Sequence, residues 1–251
     1  MTKISVITAT FNCVHTIGDC VGSLAQQTHK RVEHIVIDGA SRDGTAEFLQ
    51  GHRQHFATLV SERDKGLYHA LNKGLARVTG DVVGFLHADD LYADAGVLRR
   101  IAHEFADPGV EAVFGDLVYV SKEAPHRIIR YWRAGEFNAE NLRSGWMPPH
   151  PTLYLRRRLY EQFGCFDTSY EIAADYDFML RILTSITGRV IYLPRVLVRM
   201  RAGGISNRSL SNVLKKSAED LRALRGNGVG GVRTLMLKNG SKMKQLLHRP
   251  S

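Results

Sequence analysis

Asp81-Val82-Val83-Gly84-Phe85-Leu86-His87-Ala88-Asp89-Asp90 is the stretch on which the fold turns. An apolar run stops abruptly at two adjacent carboxylates, which reads as a buried strand whose C-terminal end opens into a polar site. Adjacent carboxylates repel, so the pair needs solvent, a shared proton or a cation. A second reading stays open on these residues alone, because Asp90 precedes a helical pattern and can serve as an exposed N-cap.

Upstream, strand and helix patterns alternate. Ile4-Ser5-Val6-Ile7-Thr8-Ala9-Thr10 is rich in β-branched residues and ends at the turn-prone Asn12. Residues 14–27 have helical spacing through Ile17, Val21 and Leu24, and Glu33-His34-Ile35-Val36-Ile37-Asp38 is a short apolar strand ending in a carboxylate. A loop at 39–44, a helix at 45–55, a strand at 58–61 and a helix at 66–78, through Leu67, Ala70, Leu71 and Leu75, complete the series. This order predicts an α/β fold with right-handed crossovers and a mostly parallel central sheet covered on both faces. Ligands bind at the carboxyl ends of such strands, so Thr8 to Asn12, Asp38 and the Asp89/Asp90 pair are expected on one rim.

Downstream the pattern is less regular. Residues 111–120 read as a long strand, with 127–132 pairing antiparallel to it, and Met147-Pro148-Pro149-His150 lies in a proline-rich loop. A helix is expected at 175–186 and a strand at 190–198, interrupted by Pro194. Gly203-Gly204 follows, then helices at 209–225 and 234–247.

The composition is that of a soluble globular chain of 251 residues, 44% hydrophobic and 24% charged. Its net charge of +9 is unevenly spread. Residues 199–251 carry twelve Lys/Arg against two Asp/Glu, whereas the remainder carries twenty-two against twenty-three. A neutral body and the lack of a recognition motif argue against a nucleic-acid groove. The basic C-terminus suits an anionic membrane surface, nucleic acid or simple solubility. In it, Val213, Leu214, Leu221, Leu224, Leu235, Met236, Met243, Leu246 and Leu247 oppose lysines and arginines. Either an interfacial helix or helices packed back on the core satisfies that pattern. Cys13, Cys20 and Cys165 have neither zinc-type nor CxxC spacing. With no signal-peptide pattern and no apolar run near ~20 residues, a cytoplasmic protein is expected, with any membrane attachment peripheral on the inner face.

Several motifs in order resemble family 2 glycosyltransferases with a GT-A fold: Ser5-Val6-Ile7-Thr8-Ala9-Thr10-Phe11-Asn12, Ile37-Asp38-Gly39-Ala40-Ser41-Arg42-Asp43-Gly44-Thr45, Ser61-Glu62-Arg63-Asp64-Lys65-Gly66, Asn72-Lys73-Gly74, His87-Ala88-Asp89-Asp90, Ala174-Asp175-Tyr176-Asp177 and Arg201-Ala202-Gly203-Gly204-Ile205-Ser206. The resemblance covers roughly residues 1–206. It divides the chain into a nucleotide-binding half (1–110), an acceptor-side half (111–206) and, outside it, a basic helical extension (207–251).

The resemblance implies inverting transfer of a sugar from a nucleoside diphosphate sugar, a UDP-sugar in the first instance. The acceptor it implies is a saccharide or lipid-linked saccharide on the way to a cell-surface polysaccharide. A divalent cation, Mn²⁺ or Mg²⁺, would sit on Asp89 and Asp90, since hard cations take oxygen ligands and share them with phosphate. Asp175 would be the catalytic base; its local alternative is a helix N-cap, with Asp177 in the first turn. Thr8, Ala9, Thr10, Phe11, Asn12, Asp38, Asp64, Lys73, His87, Asp89 and Arg201 would contact the nucleotide sugar. Lys73 and Arg77 also suit a solvated helix face, and His150 either meets the acceptor or phosphate or is structural. Arg201 and Gly203-Gly204 resemble a loop that closes over the diphosphate, though an ordinary turn explains the glycines as well.

Two departures bear on the site. His87 stands where the family commonly has another polar residue, and it adds an imidazole ligand, touches the donor or is structural. Asp38-Gly39 replaces a common Asp-Asp, which weakens the inference that the base is uracil.

Overall fold

The computed structural model describes residues 2–203 and 210–247. The first half is β1 (Ile4–Thr10), α1 (Val14–Ala25), β2 (Val32–Asp38), α2 (Thr45–Gly51), β3 (Thr58–Ser61), α3 (Leu67–Leu75) and β4 (Val82–Phe85). These segments follow the expected series, with helices one to three residues shorter at their ends and the second continued by a 3₁₀ turn at Arg53–His55. β3, β2, β1 and β4 lie side by side in parallel. Thr10 pairs with Asp38 and Ile7 with Phe85, so these strand ends share one edge.

The period-2 alternation of the strands divides the core between the two faces of the sheet. Ile7, Ile35, Ile37 and Phe85 face α3 residues Leu71 and Leu75. Ile4, Val6, Val36 and Val82 face α1 residues Ile17 and Val21. Burial is complete or nearly so at all of these positions. At Gly84 a Cβ would lie 2.1 Å from the ring of Tyr154, a fully buried side chain, so the strand entering the site passes that ring as bare backbone.

After β4 come β5 (Leu91–Tyr92), α4 (Val97–Glu104), β6 (Val110–Val120) and β7 (Ile128–Trp132). Next are α5 (Ala139–Leu142), β8 (Tyr154–Arg156), α6 (Arg157–Phe163), α7 (Ala174–Leu183) and β9 (Arg189–Arg201). β8 joins the halves, pairing antiparallel with β4 on one side and β6 on the other. β9 lies parallel to β6 with three register shifts, two of them around Asp116, opposite Pro194 and Arg195. Proline in a paired strand removes a ladder donor, and the bulge absorbs that loss. β7 pairs antiparallel with β6, as the sequence predicts.

One local expectation is corrected. Asp90 does not cap a helix, because Leu91 and Tyr92 continue as strand β5 against β9, and α4 begins only at Val97.

α8 (Leu210–Gly226) and α9 (Val232–Leu247) end the chain. Ala223, Leu224 and Val229 are buried in the same cluster as α7 residues Phe178 and Leu180, so part of the apolar face of these helices packs on the core. Asp220, 2% exposed, is paired with Lys216 at 2.9 Å and Lys238 at 2.8 Å. Among the described residues no helix is long and apolar enough to cross a membrane.

Candidate active site

The carboxyl edge of β1, β2 and β3 forms a cavity of about 380 Å³, lined by Phe11, Asn12, Gly39, Ala40, Arg42, Arg63 and Asp64. That is within the usual range for a small-molecule site. Its lip is strained: Asn12 has φ 49° and Ala40 φ 61°, the left-handed region that costs a residue with a Cβ. Cross-loop bonds hold it there. Asn12 N donates to Ser41 Oγ at 2.9 Å, and Arg42 N donates to Asn12 Oδ1 at 2.9 Å.

Of the first motif only Phe11, 65% exposed, and Asn12 line this cavity. Thr8, Ala9 and Thr10 are buried in the strand. Thr8 Oγ1 bonds Leu86 O and the His34 ring, and Thr10 Oγ1 meets Cys13 Sγ. Burial holds His34 neutral, its pKa pushed down to about 3.

Asp38 is fully buried, and its oxygens accept from Ser41 N, Ser41 Oγ and Ser61 Oγ. Its carboxylate is thereby spent on bracing the two loops that form the cavity wall. Asp64 does reach the cavity. Its side chain is 7% exposed and is paired with Lys73 Nζ at 2.6 Å, with no further hydrogen bond to its buried oxygens. Lys73 also pairs with Glu62 at 2.7 Å, and these two carboxylates raise its pKa, Asp64 most strongly. Lys73 is therefore placed to fix Asp64 and the 62–64 loop.

Beyond β4 the chain turns through His87 to Asp90, closed by Asp90 N donating to His87 O at 3.0 Å. Asp90 is 1% exposed; its Oδ1 accepts from Arg201 N at 3.2 Å, and its buried Oδ2 has no partner among the described residues. Burial, followed by the charge of Asp89, pushes its carboxyl well above the usual range, against the pull of Arg201. Asp89 is half-buried, and its carboxylate accepts no hydrogen bond from the described residues.

A hard cation suits this pair: it cancels the repulsion and gives Asp90 Oδ2 the partner it lacks. Among the described residues no group of three His, Cys, Asp or Glu stands ready to hold a metal. The oxygen donors at this turn are the carboxylates of Asp89 and Asp90.

Arg201 is the last residue of β9 and is 4% exposed. Its guanidinium donates to Asp89 O at 2.8 Å and Lys122 O at 3.2 Å, and pairs with Asp19 on α1. It holds the aspartate turn from below instead of lying in an open loop. Gly204, Ile205 and Ser206 of the same motif lie outside the described residues.

From the other half, α7 brings Asp175 to the site. Its Oδ1 accepts from Tyr68 Oη at 3.1 Å and from Tyr176 N at 2.8 Å, and no described residue bonds its Oδ2. Burial, then the Asp175 charge, raises the Tyr68 pKa, so the phenol keeps its proton and remains a donor. His150, 7% exposed, has its ring 6.0 Å from that of His87 and stacked on Phe85 at 5.4 Å, and it feels the charge of Asp175. Burial holds its imidazole neutral, down to about 4, with Asp175 pulling the pKa up and His87 pushing it down. Its Nε2 is buried without a partner.

Tyr68 is a site residue that the sequence does not announce, since its apolar helical spacing equally marks core. Asn72, from the Asn72-Lys73-Gly74 motif, exchanges hydrogen bonds with the Phe166 backbone, Nδ2 to O at 2.8 Å and N to Oδ1 at 3.0 Å, and so ties α3 to the segment leading to Asp175.

A parallel half, joined through an antiparallel strand to a second half carrying a helix-borne carboxylate, is the GT-A glycosyltransferase architecture. Among solved structures, Staphylococcus aureus TarS 1–349 in complex with UDP-GlcNAc superposes with a TM-score of 0.70 at 18% identity, over 90% of this chain and 66% of that one. The mannosyltransferase PcManGT from Pyrobaculum calidifontis, in complex with GDP-Man and Mn²⁺, gives 0.65 at 21% identity, over 98% and 73%. This chain spans 43% of the longer TarS chain.

The chain belongs to glycosyl transferase family 2, whose model matches residues 5–170. An uncharacterized glycosyltransferase of Mycobacterium tuberculosis is 32% identical over 71% of this chain and 68% of its own length. A PGL/p-HBAD biosynthesis glycosyltransferase of Mycobacterium bovis is 29% identical over 81% and 78%.

Proposed function

We propose that the protein is an inverting, metal-dependent glycosyltransferase that moves a sugar from a nucleoside diphosphate sugar, a UDP-sugar in the first instance, to a saccharide or lipid-linked saccharide. The observation that carries this is the pairing of two different carboxylate centres in one site. Asp89 and Asp90 crowd two carboxylates around an unpartnered buried oxygen. Asp175 has one oxygen held by Tyr68 and the other left open.

The nucleoside lies in the cavity of residues 1–110, against Phe11 and Asn12, with Asp64 as acceptor for a base or ribose donor. Arg42 and Arg63 add positive charge at its wall. Asp89 and Asp90 would hold Mn²⁺ or Mg²⁺, which would supply positive charge to neutralise the departing diphosphate. Asp38, Lys73 and Arg201 act by holding the loops that carry these groups. His87 and His150, their rings 6.0 Å apart, can bond sugar hydroxyls. Asp175 Oδ2 takes the proton of the acceptor hydroxyl as that oxygen forms its bond to the anomeric carbon. The bond from that carbon to the diphosphate oxygen breaks on the opposite face, which inverts the centre and frees the nucleoside diphosphate.

Nucleoside diphosphate release, measured with Mn²⁺ across a panel of UDP-, GDP- and dTDP-sugars, tests this. At least one donor should be turned over, and the rate should collapse on chelation. No binding and no release with any donor would sink the assignment.

The acceptor class draws support from the C-terminus and from the relative named for PGL/p-HBAD biosynthesis. Leu214 is 72% exposed and Met236 68%, with Val213, Val232 and Leu237 also exposed among basic residues. Apolar side chains rimmed by cations suit an anionic lipid surface, giving a peripheral protein whose acceptor is presented there. Sedimentation with phosphatidylserine-containing vesicles should carry the protein down, and Leu214→Glu with Met236→Glu should weaken this about tenfold or more. Equal sedimentation with neutral vesicles, or preference for duplex DNA, would refute it.

A further inference from the structure

Three successive backbone amides immediately before α7, the helix that carries Asp175, point at a single carboxylate from another helix. Glu171 N donates to Glu219 Oε1 at 3.0 Å, and Ile172 N and Ala173 N donate to Glu219 Oε2 at 2.9 Å each. Glu219 lies in the middle of α8, so it acts across a tertiary contact and is no cap from α7's own sequence. The N-cap position of α7, Ala173, has no side chain able to do this, and no side-chain cap is present. Consecutive amides converging on an anion at a helix N-terminus form a charge-assisted nest.

Other contacts from α8 grip the same segment. Lys215 pairs with Glu171, the Arg222 guanidinium lies 3.7 Å from the Tyr170 ring centre, and Asn227, just past the helix, donates from Nδ2 to Asp177 Oδ1 at 2.9 Å. The segment also meets Tyr68, whose Oη donates at 2.7 Å to the Ile172 carbonyl and is 3.1 Å from Asp175 Oδ1. The Ile172 peptide unit is therefore fixed from α8 on one side and from α3 on the other. The α8 residues that make these contacts lie outside residues 5–170, the part of the chain that matches the family model.

We infer that Glu219 is a positioning residue for Asp175, and that α8 is a clasp which sets the base through the 171–173 backbone. Its catalytic consequence rests on the proposed transferase reading; the clasp itself does not. A misplacement of the base by a fraction of an ångström to 1 Å is enough to reduce turnover by about 10²-fold, while the nucleotide cavity lies on the far half and is untouched.

The full-length protein and its Glu219→Ala and Glu219→Gln variants test this by amide hydrogen exchange and by nucleoside diphosphate release. The β1 amides serve as the internal reference for global unfolding. Glu219→Ala should exchange the 171–173 amides about tenfold faster or more with β1 unchanged. Its kcat should fall about tenfold to 10²-fold at constant donor KM. Glu219→Gln, which keeps an oxygen acceptor without the charge, should fall between. Unchanged exchange at 171–173 in both variants, or faster exchange with full kcat, would overturn the inference. A wild type that turns over no donor would defeat the transferase reading and with it the catalytic role of Glu219, while the exchange arm would still decide the clasp.

Discussion

Asp175→Asn is expected to lower turnover by about 10²- to 10⁴-fold, the range for a general base, while leaving donor affinity within about twofold of wild type. That is about 3–5 kcal/mol of barrier from a single atom change. The separation of effects follows from the geometry. Asn at this position keeps an oxygen for the Tyr68 hydroxyl and the Tyr176 amide, so α7 and its approach keep their bonds. What disappears is the basic Oδ2, which no described residue bonds. The cavity formed by Phe11, Asn12 and Asp64 belongs to β1, β2 and β3 and does not feel the change. Steady-state release at saturating donor, beside a direct donor titration, reads both quantities. Parallel loss of binding and turnover would make Asp175 a donor ligand, and full turnover would remove it from the mechanism.

The first half of the fold was legible because its strands combine β-branched runs with abrupt polar ends, and because helix and strand periods differ enough to be told apart. β3 lies where its four apolar and hydroxyl residues put it. β8 was not legible: three residues are too few to show a period, and what makes them a strand is pairing with β4 and β6, 72 to 74 and 41 to 43 positions away in the chain. The proximity of the aspartate turn to a strand end was readable. That Asp90 continues into β5 was not, since Leu91-Tyr92 becomes a strand only through β9.

For the candidate site, sequence order singles out Asp64, Asp89, Asp90 and Asp175 as candidates, and the fold adds what residue type cannot tell, that several other candidates are engaged with protein. Asp38, Lys73 and Arg201 carry the charges a nucleotide would want, yet each is engaged with protein partners: two serines, two carboxylates, and the aspartate turn with Asp19. Charged side chains hidden from solvent are costly unless paired, and that pairing depends on which loops meet in space. Tyr68 and Glu219 were missed for the complementary reason. A tyrosine on an apolar face and a glutamate on a basic helix look ordinary until the fold brings them to either side of residues 171–175.

Asp90→Asn carries the second large expectation. Asn at this position keeps the oxygen that accepts from Arg201 N, and it removes a carboxyl that burial and Asp89 both disfavour as an anion. The metal-free fold should therefore be at least as stable as wild type, to within about 1 kcal/mol. Cation affinity should fall at the same time. Changing outer-shell partners alone costs about 10- to 100-fold in metal sites, so replacing a direct oxygen ligand by an amide should cost at least that. The variant would be a well-folded protein that has lost the metal-dependent part of donor binding, a combination that a merely structural Asp90 cannot produce.

Calorimetric titration of UDP-GlcNAc and GDP-Man into wild type and Asp90→Asn, with and without Mn²⁺, tests the two-centre site most directly. One of these donors, or another nucleoside diphosphate sugar from the release panel, should bind wild type at least about tenfold more tightly with the metal than without it. In Asp90→Asn the two affinities should converge on the metal-free value. Equal affinity with and without Mn²⁺ in wild type would contradict a metal–diphosphate site at Asp89 and Asp90.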